Sequence, residues 1–418
     1  MKKLFMYPYL KTCIGLLFLQ LTMVQNISAI ELNTQSTNNS WAKWMLTQVQ
    51  SLPSSKAIKQ GGLIAHAQQK ASQQALYNPQ LRASYTNKED SEYNVVVSQT
   101  LDLFDQRAAN SQLGLVNYEL VMLQNSQQLE KSLAQALLAY IEYSSSKQLL
   151  QVSKKQEKLL TRLTLDLKLR EEAGDVGQID AEMAYLSLTQ NLQQINLTEI
   201  HYRKALSNIQ KSLNSAAIPN HPQASIWVNT IATKEIAAKL ENALAIQYAQ
   251  KQLQQSQVQS KIKQLKKKVN PTIGLGAGRD GSEATIIFEI SVPLNIRNNF
   301  SSQYNAALHK VNQSEFELQE QQRLVKNNIK QSAASYRQIK ARVLSWQKLI
   351  GRRLKNSQSL LNTQWQSGDI STADYLFSLK QITDTLVANI ELTAEMHKAW
   401  VEWLLASSQV QKWLETIK

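Results

Sequence analysis

Residues 270–294 read NPTIGLGAGRDGSEATIIFEISVPL, two stretches in which apolar residues alternate with small or polar ones around a short polar turn. Residues 78–101, NPQLRASYTNKEDSEYNVVVSQTL, follow the same plan. Because alternation with a period of two places every second side chain on one face of a strand, both stretches predict β-hairpins with one apolar face. We predict strands within about 79–103, at 80–86 and 93–103, and strands within about 271–295. The face that we expect to meet a membrane carries Leu81, Tyr85, Val95, Val97, Leu275, Ile286, Phe288 and Ile290.

The two hairpins belong to an internal duplication of the chain. Asn78-Pro79 recurs as Asn270-Pro271, and residues 173–176 (AGDV) recur as residues 367–370 (SGDI), at offsets of 192 and 194 residues. Markers that stay in register over half a chain predict two structural repeats. We place the first repeat at 30–230, with its turn at about 173–180, and the second at 231–418, with its turn at about 367–374.

Long helices are predicted to connect the hairpins to these turns. Residues 104–172 and 298–366 contain one glycine each and no proline, and at 1.5 Å per residue each segment would reach roughly 100 Å. The return legs, 178–213 with 233–269 and 372–415 with an N-terminal helix at 54–77, have similar combined lengths. Helices of this length do not fold into one compact core. The sequence therefore predicts a mainly α chain with a small β part, built from long helical hairpins.

The first 29 residues predict a secretory signal peptide. Lys2 and Lys3 precede an apolar core, and Ser28-Ala29 supplies small residues for cleavage. The single cysteine, Cys13, lies in this segment, so we expect a mature chain without disulfides, thiolate metal sites or an N-terminal lipid. No later apolar run approaches the ~18 residues of a spanning helix, which leaves a soluble exported protein or an outer-membrane β-barrel.

Composition and motifs narrow the function classes. The net charge is +14, but the basic residues are spread among glutamines and leucines and form no nucleic-acid recognition motif. We therefore expect no nucleic-acid binding. Nucleophile motifs, phosphate loops and nucleotide fingerprints are missing from the sequence, so we expect neither an enzyme nor a cofactor. The five histidines fall singly on different segments, so we predict no metal site. The lysines at 261–268 suit either a solvated helix end or contact with anionic lipid.

Four strands cannot close a barrel, and an open sheet edge cannot lie in lipid. Two ordinary hairpins in a soluble domain remain one interpretation, and a soluble exported coiled coil is another. Strands supplied by several identical chains resolve the difficulty, because three chains would supply twelve strands, enough for a water-filled barrel.

The order and spacing of the motifs resemble the TolC family of outer-membrane efflux ducts, from about Trp41 to Trp413. The resemblance rests on the duplicated plan, the Asn-Pro strand openers, the strand ends at 98–101 and 291–294, and two turns of the form Gly-Asp-x-x-x-x-Asp. The strings at 270–276 and 291–294 are most similar to the CzcC-type branch, the outer-membrane parts of heavy-metal efflux systems.

This resemblance implies a TolC-like trimeric α/β barrel in the outer membrane of a Gram-negative bacterium. Each chain would supply four transmembrane β-strands to a 12-stranded barrel and long periplasmic helical hairpins to a 12-helix cylinder. The implied partners are two further copies of the chain, a periplasmic adaptor (membrane fusion) protein, an inner-membrane resistance-nodulation-division pump and outer-membrane lipid, with no nucleic acid.

The resemblance also implies where function lies along the chain. Adaptor docking is expected at the two turns, on Gly174, Asp175, Gly368 and Asp369, and the pore constriction is expected near Asp180, Trp365 and Asp374. Asp374 matches the first of two constriction aspartates of multidrug ducts, whereas the second falls at Phe377 and the position of an arginine latch falls at Ile370. Helix capping is the alternative role for the aspartates, and packing between hairpins is the alternative for Trp365.

The function predicted from these features is a passive duct that exports heavy-metal cations delivered by an inner-membrane pump. The same duct could instead carry drugs or secreted polypeptides. A soluble periplasmic helical adaptor protein is the alternative from another class.

Overall fold

The computed structural model describes residues 39–87, 91–174, 176–215, 217–219, 222, 224–232, 236, 239–350 and 353–417. The helices are α1 (39–51), α2 (Pro53–Ser72), α3 (Gln106–Glu172), α4 (Gln178–Leu213), α5 (Leu244–Leu265), α6 (Ser301–Ile350), α7 (Arg353–Gln366), α8 (Thr372–Ala406) and α9 (Val410–Thr416). The strands are β1 (Gln80–Thr86), β2 (Glu92–Thr100), β3 (Thr272–Asp280) and β4 (Glu283–Ser291). None of the helices in these ranges combines the length and the apolar character that crossing a membrane requires. The predicted signal peptide and Asp175 lie outside the described residues.

The predicted fold class is confirmed: long helices dominate, and four strands form two hairpins. β1 and α4 have the predicted bounds, because strong periodicity ends at clear boundary residues. Helix α4 begins after Gly177, whose backbone is extended, and ends at Asn214, which adopts the left-handed conformation that stops a helix.

Several predicted bounds were too long. β4 ends at Ser291 rather than near 294, because Pro293 has no N–H for a sheet ladder. Among its described residues, the return leg predicted at 233–269 is interrupted at 242–243 and ends at Leu265 rather than near 269. The last predicted helix breaks at 407–409, where Ser408 has a φ of 55°.

The chain forms two compact units. One unit draws its described residues from Met1–Leu52, Glu130–Ala232 and Gln331–Lys418, and the other from Pro53–Leu129 and Thr233–Lys330. Each unit therefore takes segments from both halves of the sequence. The repeat boundaries at 30–230 and 231–418 stay a prediction.

The second unit contains a four-stranded antiparallel sheet with the order β1-β2-β3-β4. β2 and β3 pair across the two hairpins, from Glu92 opposite Asp280 to Thr100 opposite Thr272. Directly paired residues share a face, so the register arranges the side chains in rows across all four strands. β1 and β4 are the two edges of the sheet.

An aromatic cluster forms the core of the first unit. Trp227, at the end of a short 3₁₀ turn, is fully buried, and its ring lies 4.7 Å from His397 and 5.2 Å from Trp413 between centroids. The Tyr336 hydroxyl donates to the Trp227 carbonyl (2.9 Å) and accepts from the Asn229 amide (2.8 Å). These bonds hold residues 227–229 against Tyr336, in the segment between α4 and the return leg predicted to begin at 233.

Glu130 joins α3 to the last helix of the same unit. Its carboxylate is buried and accepts hydrogen bonds from the backbone N–H groups of Val410 (2.7 Å) and Gln411 (3.1 Å). Burial raises the pKa of Glu130, and the two N–H donors oppose that shift. The carboxylate satisfies two of the N–H groups that the first turn of α9 leaves without a helical partner.

We expect Glu130→Ala to destabilise the first unit by about 2 kcal/mol, because two buried N–H groups lose their acceptor. The midpoint of thermal unfolding of the detergent-solubilised protein, followed by circular dichroism, should fall by several degrees. Glu182→Ala, at an exposed position on α4, is the control and should leave the midpoint unchanged. Equal midpoints for both variants would contradict the capping role of Glu130.

Candidate functional site

One face of the sheet is apolar and open. Its central row is Leu81, Val97, Leu275 and Phe288, and the next row is Ala83, Val95, Ala277 and Ile286. In the chain described, Leu81 is 73% exposed, Phe288 65% and Ile286 91%. All eight residues predicted for the membrane face lie on this side, because the register gives them one parity. A contiguous apolar face of this size marks a surface that meets lipid or another protein.

Aromatic side chains mark one end of this face. Tyr85 and Tyr93 are paired in the register, and their ring centroids lie 4.9 Å apart. Both side chains are more than half exposed. Aromatic girdles of this kind flank the apolar band of transmembrane strands, where amphipathic rings suit the boundary between hydrocarbon and water.

The opposite face of the sheet is polar and crowded. Arg82 and Glu289 form an ion pair of 2.9 Å across the sheet. Gly274, Gly276 and Gly278 stand on this face at alternate positions of β3, and a Cβ at Gly276 would collide with the carbonyl oxygen of Val95. Glycine therefore permits a close approach of β2 and β3 that a larger residue would prevent.

The second turn, between α7 and α8, has a defined cap. Gly368 has a φ of 82°, and its N–H donates to the Trp365 carbonyl (3.2 Å). The Asp369 N–H donates to the Gln364 carbonyl (2.9 Å), which completes the double hydrogen bond of a Schellman motif. Gly174, in the first turn, has a φ of 80°. Apart from the glycine and its chain neighbours, no atom of the described residues lies within 4 Å of a Cβ built on either glycine, so conformation rather than space selects glycine at both turns.

A hydrophobic cluster packs the helices behind the turns. It contains Leu160, Leu163, Leu167, Ala184, Trp365, Tyr375, Leu376 and Leu379, with Val176 and Ile370 against it. Trp365 is 6% exposed, stacks on Tyr375 at 5.2 Å, and carries the Arg170 guanidinium 5.1 Å from its ring centroid. The ring therefore packs between α3 and the α7–α8 hairpin and does not lie on an open surface of the chain.

The aspartates of the two turns have different surroundings. Asp374 is exposed on the first turn of α8, where its carboxylate accepts from the Ser371 hydroxyl (2.7 Å) and its N–H donates to the same oxygen (3.1 Å). Ser371 is therefore the N-cap of α8, and the Asp374 carboxylate bonds to the hydroxyl of this cap. Asp369 is also exposed and accepts from the Ser367 hydroxyl (2.7 Å). Asp180 is half-buried in the first turn of α4. The Asp374 carboxylate therefore bonds to the cap of α8 and still exposes its charge to solvent.

The sequence did not identify the partners of Trp365. Tyr375 lies ten residues after Trp365 in the sequence, and Arg170 lies on α3. Neither position predicts contact with the Trp365 ring. The contact with Tyr375 could have been predicted, because Trp365 and Tyr375 stand on either side of the Gly368 turn and a tight turn brings its two flanks together.

Residues of α3, α4 and α8 line a groove of about 540 Å³ in the first unit. Its lining is mixed, with Phe377, Met183 and Leu197 exposed among glutamines and asparagines. The Oδ1 atom of Asn191 is buried there without a hydrogen-bond partner among the described residues. No group of three or more metal-binding side chains occurs in the part of the chain that the structure describes.

No protein-family model matches the sequence, and no curated protein sequence matches it significantly. Solved structures do match the fold. A membrane protein from Pseudomonas aeruginosa has a TM-score of 0.74 at 14% identity, over 88% of this chain and 92% of that chain. The CmeC outer membrane channel of Campylobacter jejuni has a TM-score of 0.71 at 12% identity, over 89% and 86% of the two chains. The open state of the MtrE outer membrane channel of Neisseria gonorrhoeae has a TM-score of 0.72 at 12% identity, over 88% of each.

At these identities the similarity establishes the fold alone. The chain has a TolC-like channel fold, mainly helical with a four-stranded sheet, as the sequence predicted.

Proposed function

We propose that the protein is a TolC-family outer-membrane channel, the passive duct of a tripartite efflux system. The observation that carries the proposal is the exposed apolar face of the sheet, in a chain whose fold is shared by solved outer membrane channels. Soluble sheets bury such a face in the core of their own chain. Here the opposite, polar face suits a water-filled lumen.

Three identical chains complete the sheet in this proposal. β1 and β4 each present an unpaired edge, and lipid offers no hydrogen-bond partner for backbone groups. Joining β4 of one copy to β1 of the next would give a closed 12-stranded barrel in the outer membrane. The long helical hairpins would then extend into the periplasm.

The same turns are the proposed docking site for a periplasmic adaptor, through which an inner-membrane pump delivers cargo. Gly174, Gly368 and Asp369 are exposed, and the nearby groove of α3, α4 and α8 offers both polar and apolar contacts. The soluble-adaptor alternative leaves the exposed apolar sheet without a role, so we favour the channel.

Heavy-metal cations are the cargo that we propose, as in the CzcC-type branch. Support comes from the strand motifs at 270–276 and 291–294 and from the exposed carboxylates of Asp369 and Asp374. Carboxylates near a narrow opening create a field that attracts cations. Deleting the gene should raise the sensitivity of its host to divalent metal salts more than to drugs, and the reverse result would favour drug export.

Asp374→Asn tests the pore. Asn keeps a carbonyl oxygen that accepts from the Ser371 hydroxyl, so the turn should remain folded while the charge is lost. Single-channel recordings in planar bilayers should show a several-fold lower preference for cations over anions and weaker block by multivalent cations. Asp384→Asn is the control, because Asp384 lies on the same helix in an ion pair with Lys380 (2.6 Å). Unchanged selectivity in Asp374→Asn would assign Asp374 to capping alone.

Substituting both turn glycines tests docking. Gly174→Val with Gly368→Val places a β-branched residue at φ values near 80°, which should strain both turns by about 1–3 kcal/mol each. Efflux in cells should fall although the protein still inserts in the outer membrane. Gly177→Ala is the control, since Gly177 has an ordinary extended conformation (φ −71°). Normal efflux by the double variant would place docking elsewhere.

A further inference from the structure

A cationic surface with aromatic support lies where α5 meets the sheet. We call it the lysine collar and define it by Lys266, Lys267, Lys268, Phe104 and Tyr304. The three lysines are exposed, and they follow the last residue of α5, Leu265, immediately. Hydrogen bonds tie this segment to both hairpins: the Asn295 side chain donates to the Lys267 carbonyl (3.3 Å), and the Leu103 N–H donates to Asn270 Oδ1 (3.2 Å).

Two of the lysines rest on aromatic rings. Lys268 Nζ lies 4.9 Å from the centroid of Phe104, and Lys267 Nζ lies 5.5 Å from that of Tyr304. Both distances are within the range of a cation–π interaction. The rings hold the two ammonium groups at defined positions while leaving their N–H donors free to bind an anion.

The ion pairs of the described chain do not include the lysines of the collar. Within the described ranges the three lysines form no ion pair. Of the two acids beside Phe104, Asp102 is occupied as a cap of α3, accepting from the backbone N–H groups of Gln106 (2.9 Å) and Arg107 (2.7 Å). Asp105, the other acid, forms no ion pair among the described residues.

Exposed apolar side chains flank the collar. Leu103 is 60% exposed, Leu294 75% and Ile296 82%. Cations at the end of a helix satisfy the helix dipole, which explains lysines after α5. The dipole does not explain why exposed leucine and isoleucine side chains lie beside them. Apolar side chains next to aromatic rings and lysines are the pattern of a membrane interface.

The dimensions fit the same boundary. From Tyr93, at the aromatic end of the sheet, to Leu101, whose N–H still donates to the Pro271 carbonyl, the chain advances eight residues, about 26 Å. A strand tilted by about 40° would then cross roughly 20 Å, most of the ~25 Å apolar band of a membrane barrel, and the turn at 103–104 lies just beyond it. Tyr93 and the collar would lie at opposite interfaces.

We propose that the lysine collar binds the phosphate headgroups of anionic phospholipids in the membrane leaflet nearer the helices. The inference rests on the proposed function, because it requires the sheet to be inserted in a membrane. Each lysine near an anionic membrane surface strengthens binding, so two of them together should give roughly a 30-fold preference for anionic over zwitterionic lipid.

The test uses the full-length protein in non-ionic detergent. Native mass spectrometry would count bound phosphatidylglycerol and phosphatidylcholine molecules with the same acyl chains. We expect the wild-type protein to retain phosphatidylglycerol preferentially and Lys267→Gln with Lys268→Gln to lose most of that preference. Lys267→Arg with Lys268→Arg should keep it, because the charges remain.

Lys154→Gln with Lys155→Gln is the matched control, an adjacent pair of exposed lysines in the other unit. An equal loss of preference in this control, or none in the collar variant, would overturn the proposal. Displacement of the lipid by excess inorganic phosphate would identify a free-anion site instead, and dissociation of the oligomer by the collar substitutions would identify a contact between copies.

Conductance in pure phosphatidylcholine bilayers distinguishes failure of the channel function from failure of the lipid site. Absence of conductance would contradict the channel function. Conductance without a lipid preference would contradict only the lipid site at the collar.

Discussion

In the proposed channel, every backbone N–H and C=O group of the sheet must find a hydrogen-bond partner inside lipid, and the other features follow from that requirement. A single chain cannot meet it, because β1 and β4 each leave one side unpaired. The same sheet has an apolar face that no other part of the described chain covers, as the exposure of Ile286 at 91% shows. Strands from other copies would pair the two edges, and a surrounding membrane would cover the apolar face.

The turns face a different requirement. A long helix ends only where its last carbonyl groups are satisfied and its last residue can leave the helical path. Gly368 does this with a left-handed conformation and a double hydrogen bond, and the Trp365–Tyr375 stack then closes the hairpin from behind. The base of the turn is therefore packed and hydrogen-bonded, while its glycine and aspartates are exposed. A turn fixed by these contacts can present the same surface to a docking protein in every copy.

Local periodicity was enough to predict most elements, because each is long and strongly patterned. The sequence located β1 and α4 to the residue and put all eight apolar strand residues on one face. Local periodicity does not predict segments whose path depends on tertiary contacts. The path of residues 228–232 is one of them, because side chains of α6 hold it: Arg337 donates to the Ile231 carbonyl (2.7 Å) and Lys340 to the Asn229 carbonyl (2.6 Å). For Trp365 the sequence offered a place near the pore or packing between hairpins. The structure identifies the cluster that buries the ring, and the place near the pore stays a prediction. The lysine collar could be predicted only in part: the lysine run is visible in the sequence, but its contacts with Phe104 and Tyr304 are not.

Oligomeric state tests the central claim most directly, because the proposed barrel exists only if separate copies share one sheet. Native mass spectrometry of the detergent-extracted, folded protein would weigh the particle. The proposed architecture predicts three chains of the mature protein that separate only on denaturation. A stable, folded monomer in detergent, with β1 and β4 left unpaired, would contradict it.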